Sequence, residues 1–147
     1  MITLSMAAEI ATCVAGLVAV FGIPFGILIY RRQMNAQLFI TFTQRYEEIM
    51  SNFPDDGYKT RFCLVGELPP PSAALTTSVL RYLNLCSEEF YLWKNRLIDG
   101  KLWRIWQTEL ERAIRSPLIV REWPELRSEF ESYPAFQEYV ERIQRTQ

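Results

Sequence analysis

Histidine is absent from the 147 residues of this chain, and cysteine is scarce. Without histidine, the chain lacks the commonest general base and the commonest metal ligand of proteins. The cysteines at positions 13, 63 and 86 are odd in number and form neither a C-x-x-C pair nor a zinc-binding pattern. We therefore expect free, reduced thiols, no metal site and no cofactor.

An excess of basic side chains is also missing. The chain has 16 Lys and Arg against 17 Asp and Glu, a net charge of −1. Proteins that bind nucleic acid usually carry a clear basic excess, so we expect no nucleic-acid partner. No glycine-rich phosphate loop and no G-x-S-x-G or S-x-x-K motif occurs, so no catalytic motif is recognisable.

What the chain does contain is a long uncharged segment, which includes "CVAGLVAVFGIPFGILIYRR" at 13–32. The run without charge extends from Ile10 to Tyr30, between Glu9 and Arg31. As a helix, its 21 residues would be about 31 Å long, which matches the hydrocarbon core of a bilayer at about 30 Å. The pattern predicts a transmembrane helix over residues 10–30.

A cleaved secretory signal and a buried core helix are the two alternatives to a membrane span for this segment. A secretory signal needs a basic start and a small-residue cleavage site, whereas "MITLSMAAE" at 1–9 has no Lys or Arg, and an arginine pair follows the run. A buried core helix would require the remaining chain to surround a helix that is apolar on every side. A membrane span fits the residues better than either.

The flanking charges predict the orientation of the span. Arg31, Arg32 and Arg45 follow the run, while the N-terminal side has no basic residue. By the positive-inside rule, the chain is expected to span the inner (plasma) membrane once, with its C-terminal part in the cytoplasm and residues 1–9 as a short translocated tail outside. Tyr30, Arg31 and Arg32 are then the anchors at the membrane interface.

Small residues recur within the run at Ala15, Ala19, Gly22 and Gly26. Spacings of four, three and four predict that they share one helix face, where two helices could approach closely in lipid. The alternative is that Gly and Ala are simply common in spanning helices. Pro24 lies between the two glycines and predicts a kink.

The rest of the chain has helical periodicity. Phe39, Phe42, Tyr46, Ile49 and Phe53 recur every three or four residues, which predicts that the helix continues over 31–53. A loop is expected at 54–71, followed by a helical bundle over 72–147. The overall prediction is an all-α fold, with a transmembrane helix and a cytoplasmic bundle of about four to five helices.

Turn and capping residues divide that bundle. Ser72 is expected to start one helix and "DG" at 99–100 to end it. A later helix should start at Ser116 with Pro117, and Pro124 should kink or restart that helix. The final helix should start at Pro134.

Three segments carry a resemblance to a known family: "LRYLNLCSEEFYLWKNRLIDGKLWRIW", "SPLIVREWPELRSEF" and "YPAFQEYVERI". They are similar to a family of small bacterial membrane proteins with one N-terminal span and a helical cytoplasmic region of unknown function. The likeness covers most of the chain, and it implies the architecture without implying any chemistry.

Several carboxylates, one cysteine and the tryptophans are candidate site residues, and each also has a structural interpretation. The carboxylates at 88, 89, 99, 109 and 111 could form acidic pairs, but we expect a solvated face with helix pairs such as Glu111 with Arg115. Cys86 is expected to be a buried thiol. The tryptophans at 93 and 106 fit core positions, whereas Trp103 and Trp123 are candidates for exposed anchors of a partner protein.

These observations predict a single-pass membrane protein that serves as a protein-interaction or oligomerising module without catalytic activity. Its expected partners are the lipid bilayer, a second copy through the span, and a cytoplasmic protein. The alternatives are a membrane-tethered enzyme that uses carboxylates, or a subunit of a larger membrane complex.

Overall fold

A computed structural model describes residues 4–61, 63 and 67–146 of the chain. The described residues form helices and their connections, and none of them lies in a β-strand, which confirms the all-α prediction. They divide into two compact units, one up to Leu38 and one from Phe39 onward.

The first unit is helical throughout its described part. Helix α1 spans Leu4–Leu17, a π-helical turn spans Val18–Gly22, and α2 spans Ile23–Ser51. Pro24 lacks an amide hydrogen, and its ring would clash with the carbonyl one turn earlier, so a regular α-helix is disfavoured there. A π turn, which holds one extra residue, relieves this conflict directly before the proline.

The π turn corrects the expected arrangement of small residues. One extra residue displaces the preceding helix around its axis by roughly a quarter of a turn relative to the following helix. Gly22 and Gly26 therefore do not continue the face that holds Ala15 and Ala19. All four residues are exposed, and nothing lies within 4 Å of where a Cβ on Gly26 would be.

One helical stretch in the described part of the chain is long and apolar enough to cross a membrane. It is Ala11–Ser51, whose most apolar window has a mean hydropathy of 2.3 and no buried residue. Large apolar side chains such as Phe21 and Phe25 are 68% and 64% exposed.

The second unit contains the end of α2 and the remaining helices. These are α3 (Asp55–Thr60), α4 (Ala73–Lys94), α5 (Gly100–Ile114), α6 (Pro117–Leu126), a 3₁₀ turn (Arg127–Phe130) and α7 (Pro134–Arg145). Helix α4 packs against α5, α6 and α7, and α5 also packs against α6 and α7. Phe90 of α4 lies at the centre of the core, with its ring centroid 4.6 Å from that of Tyr139 and 5.9 Å from that of Phe136.

Three of the predicted helix starts are confirmed. The Ser72 hydroxyl accepts a hydrogen bond from the Leu75 amide at 3.2 Å, and the Ser116 hydroxyl accepts one from the Ile119 amide at 3.4 Å. Each satisfies an amide that the first turn of a helix leaves without a partner. Pro134 is the first residue of α7, where a missing amide hydrogen costs nothing.

The prediction that "DG" at 99–100 ends the helix begun at Ser72 is wrong. Helix α4 ends at Lys94, before the "DG" pair, because Arg96 takes a left-handed conformation with φ of 58°. The Leu97 amide then donates to the Leu92 carbonyl at 2.9 Å, as in a Schellman motif. Asp99 instead starts α5, where its carboxylate accepts the amide hydrogen of Leu102 at 2.8 Å.

The structure also corrects the expected restart at Pro124 and the expected loop at 54–71. Pro124 lies inside α6, which continues through it to Leu126 rather than restarting. The expected loop at 54–71 contains helix α3. A Cβ on Gly57 would collide with the Leu75 side chain and come within 2.9 Å of the Phe53 ring, so glycine there allows α3 to approach α4 closely.

Candidate functional site

The candidate site is a cavity of about 310 Å³ in the unit that begins at Phe39. Helices α2, α4 and α5 each contribute to its walls. Its lining residues are Phe39, Phe42, Thr43, Tyr46, Tyr82, Leu85, Glu89, Trp106, Glu109 and Leu110. The lining is mostly apolar with a few polar groups, the composition that is usual for ligand sites.

Helical spacing brings these side chains to one place. Phe39, Phe42 and Tyr46 recur every three or four residues on α2, so they lie on one face of that helix. The Phe42 ring centroid lies 5.1 Å from that of Trp106 on α5. The Tyr46 ring centroid lies 6.3 Å from that of Tyr82 on α4, with the rings edge to face. The aromatic stripe of α2 thus forms one wall of the cavity.

Glu89 is the unexpected member of the lining. It is only 8% exposed, and no hydrogen bond or ion pair is made to its carboxylate within the described part of the chain. Burial, together with repulsion from the neighbouring Glu88, raises the pKa of Glu89 to about 8, and the Arg45 charge opposes this only in part. The prediction that residue 89 lies on a solvated face is therefore wrong.

Two further titratable groups lie beside Glu89 on α4. Tyr82 and Cys86 are 7% and 2% exposed, and they lie one helical turn apart on the same face of α4. Burial raises the pKa of the Tyr82 hydroxyl and of the Cys86 thiol well above their ordinary values. Both groups therefore stay neutral near pH 7, and the expectation of a buried Cys86 thiol is confirmed.

The other candidate carboxylates have structural partners. Arg45 binds Glu88 through two hydrogen bonds, the longer of which is 2.8 Å. Arg115 lies 3.6 Å from Glu111, as predicted. Glu109 pairs with Arg112 on the same helix, and Asp99 caps α5.

Of the five carboxylates, the structure brings only residues 89 and 109 to the cavity. Among the residues that the structure describes, no group of three or more His, Cys, Asp or Glu side chains could hold a metal ion.

The expected exposure of tryptophans is also corrected. Trp103 and Trp123 are 3% and 4% exposed, so neither lies outside the core. Trp103 follows Leu102 on the inner face of α5, and Trp123 is four residues after the buried Ile119 on α6. Trp93 is the most exposed tryptophan at 36%, and its ring stacks on that of Trp103 with centroids 4.7 Å apart.

Sequence reasoning missed a second buried carboxylate, Glu122, which is 4% exposed. It accepts hydrogen bonds from the Thr76 hydroxyl at 2.7 Å and from Arg121 at 2.8 Å. Arg121 also donates to the Pro69 carbonyl at 2.6 Å. Glu122 follows Ile119 and Leu118 by three and four residues, a spacing that places it on the buried face of α6 and could have predicted its burial. Because its carboxylate is paired with Thr76 and Arg121, its role is structural and joins α6 to α4.

Comparison with known proteins adds no family to this description. No protein-family model, curated protein or solved structure matches the chain. The resemblance to small bacterial membrane proteins therefore stays a prediction.

The buried Glu89 carboxyl predicts an unusual dependence of stability on pH. Its pKa is higher in the folded chain, about 8, than the ordinary value of 4.5, so the folded state binds the proton more tightly. The free energy of unfolding should therefore fall as the pH rises from about 4.5 to about 8, by up to a few kcal/mol.

Urea unfolding of the intact chain in micelles at pH 5 and pH 8.5 measures this effect. Glu89→Gln should unfold at a higher urea concentration than the wild type at pH 8.5 and should lose most of the difference at pH 5. Glu125→Gln, on the exposed side of α6, is the matched control. Equal pH dependence in all three proteins would contradict the assignment.

Proposed function

We propose that this chain is a single-pass membrane protein whose helical unit binds partners and does not catalyse a reaction. The observation that carries the proposal is the uncharged stretch 10–30, in which the described side chains are exposed. An apolar surface of this size is unfavourable in water. A bilayer would cover it, because the length of the stretch matches the hydrocarbon core.

The proposed orientation places the helical unit in the cytoplasm and the first nine residues outside. Arg31 and Arg32 at the end of the stretch support it, because short flanking segments rich in Lys and Arg are retained on the cytoplasmic side. Tyr30, which is 65% exposed, suits the headgroup region.

The proposed partners are a second copy of the chain and a cytoplasmic protein. Exposed Gly22 and Gly26 would let the backbones of two spans come close. Exposed apolar side chains at Tyr91, Trp93 and Leu97 offer a surface for a protein partner. Trp93 is held in place by stacking on Trp103, which suits an interface anchor because little side-chain freedom would be lost on binding.

A membrane-tethered enzyme is the second candidate, and Glu89 is the observation that favours it. A carboxyl with a pKa near 8 could donate or accept a proton at neutral pH. Its neighbours Tyr82 and Cys86 stay neutral, and the cavity supplies no activated nucleophile among its described lining residues. Binding is therefore the better-supported use of the cavity.

Reporter fusions test the proposed orientation. A label that is active only in the cytoplasm, fused after Gln147 and expressed in a bacterium, should work, and a phosphatase that is active only outside the cytoplasm should not. Replacing Arg31 and Arg32 with Glu should reduce the cytoplasmic signal and raise phosphatase activity severalfold.

The matched control replaces Arg81 and Arg104 with Glu, since both are exposed and lie too far along the chain to influence insertion. High phosphatase activity in the wild-type fusion would overturn the orientation. An equal response in the two double variants would overturn the role of the arginine pair.

A further inference from the structure

The walls and the charge of the cavity complement one kind of ligand. Rings of Phe42, Tyr46 and Trp106 line it, and the nearly buried Glu89 carboxyl lies among them. Ring faces carry partial negative charge and attract cations, more strongly where water is excluded. No Lys or Arg is among the described lining residues, so a positive charge inside the cavity would meet attraction from the rings and the carboxylates.

We propose that the cavity binds a small organic cation, an ammonium group carried on apolar substituents. The proposal rests on the proposed function only in that it takes the cavity to be a binding site. A volume of about 310 Å³ lies at the lower end of the range for ligand pockets, which favours a small ligand. The apolar walls require apolar substituents around the charge, because burying the walls against them is favourable.

An inorganic cation fits this cavity less well. Calcium takes six to eight oxygen ligands, and magnesium keeps most of its water. The cavity offers the carboxylates of Glu89 and Glu109, the latter paired with Arg112, and otherwise mostly carbon atoms. An ammonium group with carbon substituents carries less bound water and uses aromatic faces in place of oxygen ligands.

The proposal predicts how binding depends on pH. The titratable or charged groups that face Glu89 are Tyr82, Cys86 and Glu88 on α4, Arg45 and Tyr46 on α2, and Glu109 on α5. The raised pKa values of Tyr82 and Cys86 keep both neutral between pH 6 and 8.5. Ionisation of Glu89 should therefore control the affinity for a permanently charged cation over this range.

The experiment compares benzyltrimethylammonium with its uncharged carbon isostere, neopentylbenzene. Each is titrated calorimetrically into the full-length protein in lipid nanodiscs, with empty nanodiscs as the blank. At pH 8.5 the cation should bind at least tenfold more tightly than the hydrocarbon. Because Glu89 has a pKa of about 8, affinity for the cation should fall about tenfold between pH 8.5 and pH 6, while affinity for the hydrocarbon should not fall.

Two variants assign the effect to one side chain. Glu89→Gln keeps the shape and removes the charge, so it should lower affinity for the cation at least tenfold at pH 8.5 and abolish the dependence on pH. Glu125→Gln makes the same change on the exposed surface of α6 and should stay within twofold of the wild type. Near-ultraviolet circular dichroism verifies that both variants are folded.

The possible failures differ from one another. Equal binding of the cation to wild type and Glu89→Gln would overturn the proposal. Tighter binding of the hydrocarbon than of the cation at pH 8.5 would also overturn it and would indicate a purely apolar binding site. No binding of either compound would overturn the cavity as a site for small ligands. The membrane anchor is tested separately by flotation and by reporter fusions, so its failure is distinguishable from all of these.

Discussion

Two arginines in the middle of the uncharged stretch should release the chain from membranes. The double variant Val20→Arg, Phe21→Arg places two charges at the centre of residues 10–30, and each costs about 2.5–3.5 kcal/mol there. The eleven Leu, Ile, Val and Phe residues of the stretch favour insertion by roughly 3–7 kcal/mol in total. The two terms nearly cancel, so the variant should lose most of its membrane insertion.

Flotation in a density gradient measures the outcome, because vesicles rise while soluble and aggregated protein both stay below. Wild-type protein should float with the vesicles after an alkaline carbonate wash, and the double variant should stay in the lower fractions. Ile105→Arg with Val120→Arg places two arginines at exposed positions of the helical unit and should float like the wild type. A wild-type chain that does not float, or a double variant that does, would end the membrane proposal.

Removing the Phe90 ring at the centre of the helical unit should greatly lower the free energy of unfolding of that unit. Phe90 is 3% exposed, and its ring lies close to those of Trp103, Phe136 and Tyr139. Phe90→Ala leaves a cavity where α4, α5 and α7 meet, and changes of this kind cost about 3–5 kcal/mol. Since many domains have only 5–15 kcal/mol of stability, the unit should unfold at a much lower urea concentration or lose its packing altogether.

Near-ultraviolet circular dichroism of the intact chain in micelles follows this unfolding, because buried rings give the signal. Ile105→Ala is the control, since Ile105 is 57% exposed and its truncation should change stability by no more than about 0.5 kcal/mol. Similar midpoints for the two variants would show that Phe90 does not hold these helices together.

Features that depend on neighbouring residues could be predicted from the sequence. Ser72, Ser116 and Pro134 mark helix starts because a cap or a proline acts within a few residues of itself. The aromatic stripe of α2 was readable for the same reason, since it needs only the helical repeat. The all-α class follows from these local patterns together.

Features that depend on which helices meet could not be predicted in this way. In the sequence, Glu89 looks like a solvated carboxylate beside Glu88. In the fold, its side chain lines the same cavity as the aromatic rings of α2 and α5, and this depends on how the helices pack. Trp103 was expected to be exposed and Trp93 to be buried, but the reverse is found. Tyr139 of α7 packs near Trp103, whereas Trp93 is 36% exposed. The early end of α4 depends on Arg96, which takes a left-handed backbone conformation. Glycine is the residue that usually marks this conformation in a sequence, so an arginine gave no signal of it.

The π turn at Val18–Gly22 limits how far two copies of this segment could stay in close contact. A partner helix that follows Gly22 and Gly26 meets a different side of the chain once it reaches Ala19 and Ala15. Close backbone approach would thus extend over little more than one turn, from Gly22 to Gly26, rather than over the roughly three turns from Ala15 to Gly26. A short contact of this kind would give a weak, reversible pairing with its crossing point near Pro24, toward the end of the stretch that precedes Arg31.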